Sequence, residues 1–250
     1  MRRDWLYYRL VVQSGDHLQD VVEHPLSRLI EAAEGIERWF FLRFTDRWGP
    51  HVRLRLAAAP DRICEVRRLA RQVFEVRDAW PNRLTESWRG AALSLYEPEL
   101  AKYGGVAGVA SAERVFQASS ELALSLTLSL TGPGRRERRL ATALAVTRTA
   151  VELLPPAGRR SFLYHMAWYW TGHDQERRAR IRLLAGRCPV EPAPLSGPAS
   201  DLYGHHLERA LSEGPRTAPH LLFHFVHTTN NRLGLNVLEE ALIAEQLLLG

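Results

Sequence analysis

The chain has 250 residues and 46% hydrophobic content, enough to bury a substantial core, which excludes a largely disordered protein. Charged side chains make up 24% of it, and the formal net charge of +5 comes from arginines spread along the chain rather than from a basic tail. No RNP, zinc-finger or basic-helix pattern occurs and no run approaches 18 apolar residues, so we expect a cytoplasmic protein with no direct nucleic-acid contact and no membrane span.

The opening MRRDWLYYRLVV is not expected to be a signal peptide, because Arg9 interrupts its apolar run and no small-residue cleavage site follows. Trp5 to Val12 is aromatic and β-branched and predicts a strand. From Asp16 to Ala33, apolar residues at Leu18, Val21, Val22, Leu26, Leu29 and Ile30 have helical spacing, with Pro25 as a kink or break. Glu37 to Phe44 and His51 to Leu56 flank the turn-forming TDRWGP and predict a hairpin. Pro60 suits a first helical turn, and Ile63, Val66, Leu69, Ala70 and Val73 continue at helical spacing. Thr85 to Tyr96 completes the set as a further strand. The order strand, helix, strand, strand, helix, strand is that of a split-βαβ antiparallel sheet.

After Gly105 the character is helical. LALSLTLSL, residues 122–130, alternates like a strand, yet its composition and its helical neighbour SAERVFQASSE favour a helix. Arg138 to Leu154 and Arg159 to Trp170 are helical around PPAGRR, while the proline-rich residues 186–200 form a loop or linker. Asn236 and Glu239 predict the capping box of a last helix. The fold class is therefore α+β: a single domain over residues 1–250, with a sheet portion at 1–105 and a mainly helical portion at 106–250.

Several residues carry chemistry. In HVRLR, alternation puts His51, Arg53 and Arg55 on one strand face and Val52, Leu54 and Leu56 on the core face. A row of cationic groups repels itself, which points either to an anionic ligand or to carboxylate partners on a solvated sheet face. YEPELAKYGG brings Glu97, Glu99 and Lys102, the single lysine of the chain, before a glycine pair that permits unusual backbone geometry. In HFVHTTNNRLG, His227 is followed about one turn later by Asn231 and Arg232, and a histidine can move a proton near neutral pH. His220, His224 and His227 have helical spacing, but three down one helix converge poorly on one ion, and no metal is expected. Cys64 and Cys188 lie far apart and make no metal or redox pair. No phosphate loop, nucleophile elbow or HExxH motif is present.

Taken together and in this order, WFFLRFTDRWGPHVRLRL, YEPELAKYGG, SAERVFQASS and HTTNNRLG resemble the C-terminal, glutamate-elimination domain of lantibiotic dehydratases, also called thiopeptide-type bacteriocin biosynthesis proteins. In that family a separate, much larger domain esterifies Ser or Thr of a precursor peptide with glutamate from glutamyl-tRNA. The elimination domain then removes the glutamate, leaving dehydroalanine or dehydrobutyrine. The resemblance implies this β-elimination here, with His227 as acid or base, Arg53 and Arg55 holding glutamate carboxylates or the enolate, and Lys102 among the catalytic cations. It implies substrate contacts from Arg43, His51, Glu97, Asn231 and Arg232, no cofactor, and two partners: a precursor peptide with its leader and a separate glutamyl-tRNA-dependent glutamylation protein. Where Lys102 stands the family usually has arginine, and where Ser119 stands it often has an acidic residue. The alternatives are a thiopeptide pyridine synthase, which joins two dehydroalanines and releases the leader, and a non-catalytic peptide-binding scaffold.

Overall fold

The computed structural model describes residues 4–78, 80–130 and 132–250. The chain forms two compact units. One holds the residues through Glu99 together with Ala123–Leu128; the other holds Leu100–Leu122 and Ser129–Gly250.

The first unit is built on a sheet. Strand β1 (Asp4–Val12) leads into a helical passage of α1 (Leu18–Val21), a π turn (Val22–Leu26) and α2 (Ser27–Ala32). The π turn lies where Pro25 was expected to break the helix: proline has no N–H to give to the carbonyl four residues back. The Ser27 hydroxyl caps the carbonyls left there, donating to Glu23 O at 2.6 Å and His24 O at 3.1 Å. Strands β2 (Ile36–Asp46) and β3 (Gly49–Ala58) form the hairpin. Its turn is tighter than TDRWGP implied, because Asp46 accepts the Trp48 N–H at 2.8 Å and Gly49 takes φ +97°.

Helix α3 (Ile63–Glu75), short α4 (Asn82–Ser87) and strand β4 (Trp88–Ser94) follow. Here the expected strand Thr85–Tyr96 is corrected at its start. Pro81, at φ −58°, opens a helical turn that buries Leu84, so Thr85 to Ser87 are helical. All pairings are antiparallel in the order β2-β3-β1-β4, which sets β3 between the two strands joined by α1 and α2 and makes this a split-βαβ sheet. Helices α1 and α3 pack on one face. That face buries Leu10, Val12, Phe41, Val52, Leu54 and Leu56, each at most 1% exposed.

The second unit is helical. It contains α5 (Leu100–Tyr103), most of α6 (Val106–Ser129), α7 (Arg135–Glu152), α8 (Pro156–Trp170), α9 (Gln175–Arg187), α10 (Pro198–Glu213), α11 (Ala218–Leu233) and α12 (Val237–Leu249). LALSLTLSL is helical through residue 129: burial falls on Leu122, Ala123, Leu124 and Thr127, not on every second residue. The capping box of α12 forms as expected between Asn236 and Glu239. Helices α9 and α10 were not foreseen. Among α9 side chains only Ala185 is buried, so the segment lacks an apolar stripe to read, and its start is fixed by Asp174, which accepts the Arg177 N–H at 3.0 Å. The proline-rich loop is correspondingly shorter, since Pro198 already sits in the first turn of α10.

Helix α12 is the spine of this unit, packing against α7, α8 and α9, while α11 packs on α7 and α10. Two carboxylates of α12, Glu240 and Glu245, are completely buried. Glu245 is neutralised by Arg178 at 2.5 Å and Arg182 at 3.7 Å. No helix among the described residues is long and apolar enough to cross a membrane.

Candidate active site

Each unit carries a group of polar residues with reactive potential. On the sheet, strand alternation and the antiparallel register gather side chains on the face opposite α1 and α3. Arg53 is directly across from Arg9 on β1 and Leu42 on β2, and Arg55 is across from Tyr7 and Phe40. Two like charges side by side need a counter-charge. Asp46 provides it, accepting two bonds from Arg9 Nη2 at 2.8 and 3.0 Å, with Arg53 Nη2 at 4.0 Å. The pairing and the backbone N–H of Trp48 hold the Asp46 carboxyl below its usual range, against the opposing push of desolvation.

His51 is not a third cation. It is completely buried, with Nδ1 3.0 Å from the Gly49 carbonyl and Nε2 3.4 Å from Arg53 Nε. A carbonyl only accepts and a guanidinium only donates, so Nδ1 carries the proton and Nε2 the lone pair. Burial lowers its pKa and keeps this neutral form. The ring thereby steers Arg53, whose guanidinium lies 3.3 Å over the Phe44 ring.

Arg55 has a different environment. Its guanidinium sits among Tyr7, Phe40 and Tyr96, at 4.7, 5.3 and 5.2 Å from their ring centres. Trp5 closes the cluster against Phe40 and Tyr96. The Nε and Nη1 donors are buried with no hydrogen-bond partner among the described residues. Desolvation lowers the Arg55 pKa, while Tyr7, Tyr96 and Glu99 act in the opposite sense. The carboxylate whose field reaches Arg55 is thus Glu99; both Glu97 and Glu99 are exposed. The residue as a whole is half-buried, and the part of its planar fork left outside the rings suits a carboxylate arriving from outside. Arg43 is on the other face, across from Val52, where it donates to Gln19 at 2.7 Å.

In the helical unit the centre is His227 on α11. Its Nδ1 is 2.8 Å from Glu240 Oε1, and the imidazole lies against the Trp170 indole at 4.4 Å between ring centres. The histidine side chain remains 32% exposed while that of Glu240 is 1% exposed. With Glu240 ionised, Nδ1–H donates to it and Nε2 is left as the basic nitrogen. Burial raises the Glu240 pKa, and the His227 contact opposes that shift. The arrangement orients an imidazole and gives it a counter-charge once it has taken a proton.

The other expected residues have separate places. Arg232 is completely buried, bonded through Nε to the Ser120 hydroxyl at 2.9 Å and lying over Phe116. Asn231 is half-buried in the last turn of α11. Lys102, at the end of α5, has its Nζ 5.7 Å from the Tyr103 ring centre, and its carbonyl meets His220 Nε2 at 3.0 Å. The glycines after it are needed for local geometry: Gly104 and Gly105 take φ +80° and +94°. The three spaced histidines have different partners: His220 meets Lys102, His224 packs on Tyr103, and His227 pairs with Glu240.

Sequence reasoning missed Glu240, Trp170 and the aromatic cage of Arg55. A signal for Glu240 existed, since it is four residues before buried Ala244 and eight before Leu248, a carboxylate on the inward stripe of α12. Nothing local marked Trp170 as the neighbour of His227.

A family model described as lantibiotic biosynthesis dehydratase C-term matches residues 5–249. Similar solved structures include the tRNA-dependent lantibiotic dehydratase MibB from Microbispora sp. 107891, at 22% identity and a TM-score of 0.59, covering 97% of this chain and 27% of that one. They also include TsrL, at 16% identity and a TM-score of 0.63, covering 98% and 94% of the two chains. A third is TbtD, a pyridine synthase from thiomuracin biosynthesis, at 17% identity and a TM-score of 0.60, covering 97% and 96%. The chain thus spans about a quarter of the length of the lantibiotic dehydratase. No curated protein sequence matches it.

Proposed function

The chain belongs to the lantibiotic biosynthesis dehydratase C-terminal family, and on that premise we propose that it removes glutamate from glutamylated Ser or Thr of a ribosomally made precursor peptide. The observation that carries this reading is His227, a partly exposed imidazole held by a buried carboxylate and backed by an indole. Nε2 takes the α-proton of the glutamylated residue, and the developing enolate expels the glutamyl carboxylate from the β-carbon. The Cβ–O bond breaks, a Cα=Cβ double bond forms, and the proton remains on the imidazole until it passes to solvent. Glu240 stabilises the imidazolium through that interval. Half-buried Arg55 binds a carboxylate of the peptide, with Arg53 adding positive charge on the same sheet face. The partners of this chemistry are the precursor peptide with its leader and a separate glutamyl-tRNA-dependent protein that installs the glutamate.

The test is a glutamylated precursor incubated with the protein and followed by mass spectrometry. Loss of glutamate by the wild type, and its absence with His227→Ala while peptide binding persists, is the expected outcome. Full activity of His227→Ala removes the assignment. The likeness to TbtD, a pyridine synthase matched over 96% of its own chain, supports a second reading as a pyridine synthase. The same assay on a dehydrated precursor separates the two, because that activity yields a macrocycle and a freed leader.

A further inference from the structure

Strand β4 offers a surface that the elimination chemistry does not use. It is the last strand of the sheet and, among the described residues, pairs only with β1. Its run Ala91-Ala92-Leu93-Ser94 is exposed throughout, and Leu93 and Leu95 are 47% and 75% in solvent. Open strand edges are ordinarily blunted by charge or proline. This run has neither, whereas the opposite edge, β2, carries Glu37, Arg38, Arg43 and Asp46.

A groove flanks β4 on each face. On the face covered by α3, a groove of about 600 Å³ has an aromatic floor of Tyr8, Phe74 and Trp88. Its rim carries Arg67, Arg68, Arg71 and Arg77 against a single carboxylate, Glu75. Arg71 is paired with Glu75 and Arg68 bonds Gln72, while Arg67 and Arg77 make no side-chain hydrogen bond or ion pair among the described residues. On the other face, a groove of about 320 Å³ is lined by Arg9, Val11, Trp48 and Arg89.

Successive side chains of a strand added to β4 point alternately to the two faces and so enter the two grooves in turn. Charge selects the occupant. A second copy pairing edge to edge would bring the arginine rim against its own like, whereas an acidic chain relieves the repulsion. We infer that β4 and its flanking grooves dock an extended acidic segment of the peptide substrate by strand addition, outside the residues that react. This rests on the peptide-modifying reading above for the source of the segment.

The test uses the full chain and a fluorescent synthetic peptide of alternating Glu and Val, with binding read by anisotropy and no turnover required. Loss of elimination activity and loss of docking are therefore separate results. The expected outcome is binding that weakens with salt, falls about tenfold or more in the double variant Arg67→Glu, Arg77→Glu, and is lost when alternate peptide nitrogens are methylated. Ala92→Pro, which leaves the charge unchanged but blocks the ladder, should also abolish it, with melting curves verifying that each variant is folded. Equal binding of a Lys and Val peptide, or undiminished binding of the methylated peptide or of the double variant, overturns the inference. So does a concentration-dependent dimer in sedimentation that Ala92→Pro dissociates, since the edge then belongs to a second copy.

Discussion

Glu240→Gln separates the chemistry of the His227 pair from its contribution to the fold. The substitution keeps the shape of a completely buried side chain and removes its charge, so the 2.8 Å contact with Nδ1 persists as a neutral hydrogen bond. Charge-assisted bonds exceed neutral ones by about 1–2 kcal/mol, and that difference appears only when the imidazole is protonated, in the transition state. It corresponds to a fall in kcat of about 5- to 30-fold. Stability should move the other way, because burial disfavours the carboxylate: its pKa is raised above the ordinary 4.5. The folded state holds this proton more tightly than the unfolded chain. The Glu240 contribution is therefore complete below about pH 4.5 and is lost as pH rises through the folded value. Glutamine has no such loss, so the variant should gain melting temperature relative to wild type at neutral pH and less at acid pH. Each kcal/mol is worth about 2–4 °C in a protein of this size. Single-turnover kinetics on a glutamylated peptide and melting curves at two pH values give both numbers. Unchanged kcat, or a melting temperature lowered by several degrees at neutral pH, refutes the reasoning.

Arg55→Met should raise the melting temperature by about 2–4 °C, the scale of 1 kcal/mol, since the buried donors it removes cost more than the stacking it loses; KM for the glutamylated peptide should rise at the same time. His51→Asn tests the buried neutral imidazole. Because its folded pKa lies below 6.5, wild-type stability falls as pH drops through that value, and the variant should show a shallower acid slope in melting curves. Two glycines should differ in kind. Gly105→Ala, with φ +94° and open space around the new methyl, costs about 1 kcal/mol of backbone strain. Gly108→Ala drives its Cβ into the Tyr103 carbonyl oxygen and must displace the backbone beside Lys102. Its melting temperature should fall further, with loss of activity, and equal melting temperatures for the two variants contradict this account.

The residue pattern by itself determined the sheet. Alternation in HVRLR assigned Val52, Leu54 and Leu56 to the core, because a strand has only two faces and a core accepts only one kind of side chain. Helical spacing and the Asn236 box fixed helices in the same local way. Where local signals were absent or in competition, the sequence was less informative. Helix α9 buries a single alanine and so shows no stripe, and Pro81 redirected residues that looked like strand. The family motifs drew attention to His227, Arg53 and Arg55, but what each of them does depends on residues distant in sequence. Glu240 orients His227 across a turn between helices, and Tyr7, Phe40 and Tyr96 enclose Arg55 from three different segments. His51 reads as a cation in sequence and is a neutral acceptor in the fold, because only tertiary packing determines which groups lose water and which charges are then left to face one another.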